Sequence, residues 1–162
     1  MKIHRRSILF TCIFAVEFQS VTIRDILNQY KTDPRVAILA EALNTGGSQR
    51  VHLKGLIGSS DSMMATALYF IQHRHMIFVL PEREEAAYFL SDLENLLEKE
   101  VLLFPSSFRK SFEFTQVDNI NVLQRAEVLN ELIHSSEFGK IIVTYPEALA
   151  EKVIDRAALE KN

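Results

Sequence analysis

The sequence predicts an α/β fold, an open and mostly parallel sheet flanked by helices. Three observations carry that expectation. Apolar runs recur at Met76-Ile77-Phe78-Val79-Leu80, Val101-Leu102-Leu103-Phe104 and Ile141-Ile142-Val143-Thr144. The first is continuous rather than alternating, as in strands buried on both faces of a parallel sheet. Stretches with helical periodicity separate these runs. Finally, Arg50 to Arg74 reads as a short strand, a glycine loop and a helix. Strand and helix therefore alternate four strands deep, and right-handed crossovers between parallel strands give an open, doubly wound sheet.

The elements follow in order. Residues 1–20 stand apart from the rest: Lys2, His4, Arg5 and Arg6 precede an apolar run from Ile8 to Val16. The pattern resembles a secretory signal but lacks a small-x-small cleavage site and is too short to span a bilayer. It reads either as a hydrophobic segment packed on the domain or as a start assigned too early, and we favour the second, with the chain proper beginning near Val21. Residues 21–162 then form a single α/β domain. Thr22 with Asp25 is a capping-box pattern, and Ile23, Ile26, Leu27 and Tyr30 fall on one helical face. Asp33-Pro34 starts a second helix with Val36, Leu39, Ala40 and Leu43 as its stripe, stopped by Asn44 to Ser48.

After the glycine loop, a helix from Ser62 to His73 is expected to bury Met63, Ala67, Phe70 and Ile71. Pro81 opens the next helix, with Ala86, Ala87, Phe89, Leu90, Leu93, Leu96 and Leu97 apolar among acids. A last long helix, capped by Asp118, is expected to bury Ile120, Leu123, Ala126, Leu129, Leu132 and Ile133.

Composition sets bounds on function. The hydrophobic share of 48% and charged share of 24% are those of an ordinary folded domain rather than a disordered chain. Net charge is −3, and because residues 1–20 carry +2, the remainder carries −5. Duplex DNA binding normally requires a basic face, which this balance does not supply. The single cysteine, Cys12, excludes an intrachain disulfide and a Cys-rich zinc site. A cytoplasmic location fits, with no membrane partner.

The chemistry-bearing stretch is the loop. A phosphate-binding loop has the pattern G-x-x-x-x-G-K-[ST], whose amides cradle phosphates while Lys neutralises them and the hydroxyl holds Mg²⁺. Gly55 keeps the first glycine and Ser62 the hydroxyl, but Ser60 replaces the second glycine and Asp61 the lysine. An acid about 4 Å from a phosphate turns attraction into repulsion, of order 1 kcal/mol per charge pair in water and about 4 near a protein surface. The expected fold is thus of the P-loop NTPase type, a helicase-like lobe with a degenerate loop that holds no nucleotide. The plainer alternative is that Gly55 and Gly58 are turn residues of an ordinary α/β unit.

Elsewhere the candidates are thinner. Phe108 and Phe112, with Phe114, interleave with Arg109 and Lys110, a pattern suited either to stacking single-stranded nucleic acid or to anchoring a long loop. Two cations in acidic surroundings favour the anchor. His52, His73 and His75 do not read as a metal site, and no nucleophile elbow is present. The fourth strand runs into Tyr145-Pro146-Glu147, leaving no carboxylate at its end to hold Mg²⁺. No catalytic residue, metal or cofactor is expected in this chain.

From Val21 to about Asp155 the chain resembles the N-terminal part of the bacterial transcription-repair coupling factors, which is similar to the first domain of the helicase-like component of the bacterial excinuclease. The likeness rests on the order and spacing of the loop Gly55 to Ser62, the segment Phe78-Val79-Leu80-Pro81 to Leu97, Phe104-Pro105, and Ile141 to Leu149. It implies a non-catalytic module of an ATP-dependent DNA translocase acting in nucleotide excision repair. In that family ATP and Mg²⁺ bind the motor domains, and DNA is engaged through the full-length protein. RNA polymerase and the excinuclease component that the factor recruits are engaged through other domains. This chain would lack those parts, either as an excised piece of the larger protein or as a truncated gene product, with weak or no DNA affinity of its own. Two other readings stay open: a nucleotide-binding ATPase lobe, or an unrelated α/β protein-interaction domain.

Overall fold

Thr22 and Asp25 close a capping box on α1 (Ile23–Thr32). The Asp25 N–H donates to Thr22 Oγ1 at 3.2 Å, and the Thr22 N–H donates to the Asp25 carboxylate at 2.8 Å. Asp33 ends that helix and caps α2 (Pro34–Asn44), with Pro34 in the first turn. Both helices pack on α3 (Ser60–Gln72), where Leu27, Val36, Leu39 and Ala40 meet Ala67 and Leu68 in a small core of their own. The structure, a computed structural model, describes residues 20–45, 48, 50–110, 115–117, 119–134 and 139–153, with backbone alone at 108–110 and 115–117. The apolar run from Ile8 to Val16, Phe112, Asp118 and Asp155 lie outside the described residues.

Past α3 the chain runs through β1 (Met76–Val79), α4 (Arg83–Leu97) and β2 (Leu102–Phe104). An antiparallel pair of strands, β3 (Phe108–Lys110) and β4 (Thr115–Val117), follows, then α5 (Asn119–Ile133), β5 (Ile141–Thr144) and the short α6 (Pro146–Leu149). The main sheet is parallel with order β1-β5-β2. The step from β1 to β2 passes over β5 in one direction and the step from β2 to β5 returns, so right-handed crossovers place α4 and α5 on opposite faces. Register agrees: Phe78 and Val143 point to the face where the Phe78 and Phe89 rings lie 5.2 Å apart. Phe104 and Thr144 point to the other, where the Arg125 guanidinium sits 4.1 Å over the Phe104 ring. The fold is α/β, a small three-stranded open parallel sheet flanked by helices.

Four expectations are corrected. The stretch before the glycine loop is not a strand: residues 50–57 make no ladder, and Val51, Leu53 and Ile57 are exposed. An isolated strand has no partner for its amides, and α3 packs on α1 and α2 without needing one. Among the described residues β1 is covered on one face only, since Ile77 and Val79 are 59% and 50% exposed where α5 lies over β2.

In α3, Ala67 is buried as expected and Met63 partly so. Phe70 and Ile71 are exposed, while Ala65, Thr66, Leu68 and Tyr69 turn inward. Tyr69 is held by donating to Gly139 O at 3.0 Å and accepting from Lys99 Nζ at 2.6 Å. The largest departure is α5, which buries Asn121, Arg125 and Val128 and leaves Ile120 and Leu123 66% and 70% exposed. By contrast α4 buries Ala86, Phe89 and Leu93 and half-buries Leu90, Leu96 and Leu97 of its apolar stripe, with Ala87 alone of the set exposed. Among the described residues no helix is long and apolar enough to cross a membrane.

Candidate functional site

The glycine loop turns on Gly55 (φ +83°) and Gly58 (φ +57°), both in the left-handed region that side chains disfavour. Space is not the constraint, because an added Cβ would meet nothing within 4 Å at either position. The loop then locks itself to α3. The Ile57 N–H donates to Ser60 Oγ at 2.6 Å, the Ser60 N–H to Ile57 O at 3.3 Å and the Met63 N–H to Ser59 O at 3.1 Å. Ser60, Asp61 and Ser62 thereby form the first turn of the helix, where free amides and the helix dipole would otherwise favour a bound anion.

That place is already taken. The Asp61 carboxylate accepts the Ser62 N–H at 2.8 Å, so the helix carries an anion of its own at its positive end. Ser62, fully buried, turns its hydroxyl inward, 2.9 Å from Ser59 O and 3.0 Å from Asp92 Oδ2 on α4. A hollow of about 260 Å³ beside the loop is lined by Asp61, Glu85 and Asp92, with Tyr88 at its side and no cation. A polyphosphate placed there would meet three carboxylates. These acids do not converge as a ligand set, and no group of His, Cys, Asp or Glu able to hold a metal occurs among the described residues.

On the opposite side of the loop, a cavity of about 450 Å³ opens toward α1 and α2, lined in part by Asp33, Arg35, His52, Lys54 and Ser60. The Arg35 guanidinium is committed to Asp33, with contacts of 2.6 and 3.0 Å. That pairing and the Arg35 backbone N–H bring the pKa of the Asp33 carboxyl down to about 2. Charge near the loop is thus sorted, acid on the α4 side and mixed polar groups on the other.

A second polar constellation, absent from the sequence-based expectations, sits at the carboxyl ends of β2 and β5. Tyr145 Oη accepts the Ser106 N–H at 2.8 Å, and the Glu151 carboxylate accepts Ser106 Oγ at 2.5 Å and the Ser107 N–H at 3.0 Å. Asn121 Nδ2 donates to Ser106 O at 2.8 Å. Arg125 Nη1 donates to Pro105 O at 2.7 Å and Ala148 O at 3.0 Å, and stands 3.6 Å from Glu151. Burial alone would raise the Glu151 carboxyl. The donors from Ser106 and Ser107, with the charge of Arg125, outweigh it and hold the group below the ordinary carboxylate range. These contacts go to backbone or to other members of the set, so the constellation clamps the loop that leads into β3. The signal in the sequence is the pair Asn121 and Arg125, four apart on the helix.

The remaining candidates do not gather. Phe108, Arg109 and Lys110 lie on β3, paired through their backbones with Val117, Gln116 and Thr115. His73 ends α3 in the left-handed region, φ 49°, and His75 Nδ1 accepts the Lys140 N–H at 3.0 Å. His52 is exposed on the loop. No protein-family model, curated protein or solved structure matches this chain.

Proposed function

We propose that this chain is a catalytically silent α/β module of the kind found at the N-terminus of transcription-repair coupling factors, its glycine loop a phosphate-binding loop that has lost its ligand. The observation that carries the reading is the pair of replacements in the first turn of α3. Asp61 occupies the seat of the phosphate-neutralising lysine and takes the Ser62 amide for itself. Ser62, the hydroxyl that would hold Mg²⁺, is bound to Asp92 instead. The order of elements around the loop, helix then strand at Met76–Val79 and strand at Ile141–Thr144 running into Tyr145-Pro146-Glu147, supports a P-loop-like lobe. In this role the module positions neighbouring domains of a larger repair factor, which would itself bind ATP, DNA, RNA polymerase and the recruited excinuclease component.

Binding between the purified chain and the remaining domains of a coupling factor, measured calorimetrically, tests the proposal. Micromolar association is expected. A chain that ignores those domains and binds an ATP analogue with Mg²⁺ would instead be a nucleotide-binding lobe.

A further inference from the structure

We infer that the outer edge of β1 docks a second copy of this chain, antiparallel about a two-fold axis, so that two three-stranded sheets become one. The inference is independent of the repair reading and rests on backbone direction, side-chain exposure and charge. The Met76 N–H donates to Lys140 O at 2.8 Å and the Leu80 N–H to Thr144 O at 2.9 Å. Met76, Phe78 and Leu80 therefore turn their amide groups toward β5, and Ile77 and Val79 turn theirs outward. No described strand pairs with that side. Exposed edges are normally blunted by shortness, lysine, proline or a bulge; β1 is short, but Met-Ile-Phe-Val carries no lysine, proline or bulge, and Pro81 lies beyond it.

One register satisfies all four outward groups together. With Phe78 on the axis, Ile77 faces the second copy's Val79 and Val79 its Ile77, each pair exchanging two hydrogen bonds. The same register sets the exposed side chains of Ile77 and Val79 against each other on one face, as a cross-strand apolar pair on either side of the axis. Charge selects this chain as its own partner. Arg74, exposed and donating from Nη1 to Leu43 O at 3.2 Å, precedes the strand, and Glu82, exposed, follows it. The register that pairs Ile77 with Val79 brings Arg74 opposite Glu82 at both ends of the junction. Self-complementarity of this kind is what a two-fold interface requires.

Sedimentation velocity of the full chain over a wide concentration range is the test. A monomer–dimer equilibrium is expected. Val79→Pro removes an outward N–H that no bond to β5 uses, and should weaken the dimer by about tenfold or more while the far-UV circular dichroism is kept. Ile77→Lys, on the exposed face, should do the same if the proline variant fails to fold. Arg74→Glu should weaken the dimer by roughly tenfold through two repulsive contacts, and adding Glu82→Arg should restore it. A monomer at every concentration overturns the inference, and so does a monomer whose Ile77 and Val79 amides resist hydrogen exchange because the chain covers its own edge. A dimer indifferent to all of these substitutions overturns it equally.

Discussion

The Ser62 hydroxyl lies 3.0 Å from the Asp92 carboxylate, a contact across 30 positions that ties the first turn of α3 to the middle of α4. In a working phosphate-binding loop that hydroxyl faces a metal ion. Here it is buried, pointed at an acid of the same chain, and spent on packing two helices together.

Breaking that tie should cost stability rather than activity. Ser62→Ala removes a buried hydrogen bond to a charged group, and a loss of about 1 to 3 kcal/mol in urea unfolding is expected. Asp92→Ala should show a similar loss, and the double variant less than the sum, because the two residues share one interaction. Full additivity would mean that the contact contributes nothing.

Reversing the loop's charge should reopen the site. Ser60→Gly together with Asp61→Lys frees the Ser62 amide and replaces repulsion by attraction, each charge pair of order 1 kcal/mol in water and about 4 near a protein surface. Fluorescence titration with an ATP analogue is expected to show binding absent in the unaltered chain. Turnover should stay at background, since among the described residues no carboxylate at a strand end or arginine finger is identified to complete the reaction.

Arg125 is the residue whose loss should be felt most on the far side of the sheet. Its guanidinium holds the carbonyls of Pro105 and Ala148 and faces Glu151 from a nearly buried position. Arg125→Met leaves two carbonyls without their donor and Glu151 without the cation beside it, for a loss of about 3 kcal/mol or more in thermal or urea unfolding. Leu123→Ser, on the exposed side of the same helix, should change stability by less than about 0.5 kcal/mol.

The Glu151 clamp also sets a pH limit. Because its folded-state carboxyl lies below the ordinary value of 4.5, its contribution is fully present above that value and is lost as pH falls through the lower, folded one. Unfolding midpoints measured from neutral pH downward should drop in the acid range, and Glu151→Gln should drop less steeply there. Parallel curves for the two proteins would contradict this.

Gly139 packs against the chain just before β1. A Cβ there would come within 2.0 Å of the Arg74 carbonyl carbon and oxygen, which are backbone and have little freedom to move. Gly139→Ala should therefore destabilise by about 3 kcal/mol or more, seen as a lower urea midpoint.

What can be read from the sequence divides along the range of the interactions involved. The caps at Thr22 and Asp33 depend on neighbours two or three residues away, and both helices begin where those residues say. The three sheet strands are apolar runs that match their predicted places to within a residue. The buried face of α5 is not legible in this way, because its apolar residues suggest an oily partner. What it meets instead includes the carbonyls of Pro105, Ser106 and Ala148, and Asn121 and Arg125 satisfy them. At the loop, the sign at Asp61 is legible and its amide contact is not, and Asp92 gives no local hint of its role.

The proposed function requires that residues of the chain itself close the first turn of α3 to phosphate. Isothermal titration of the unaltered protein with a non-hydrolysable ATP analogue and Mg²⁺ tests it most directly. No measurable heat of binding is expected even at millimolar ligand. A saturable micromolar isotherm that vanishes when Mg²⁺ is chelated would contradict it.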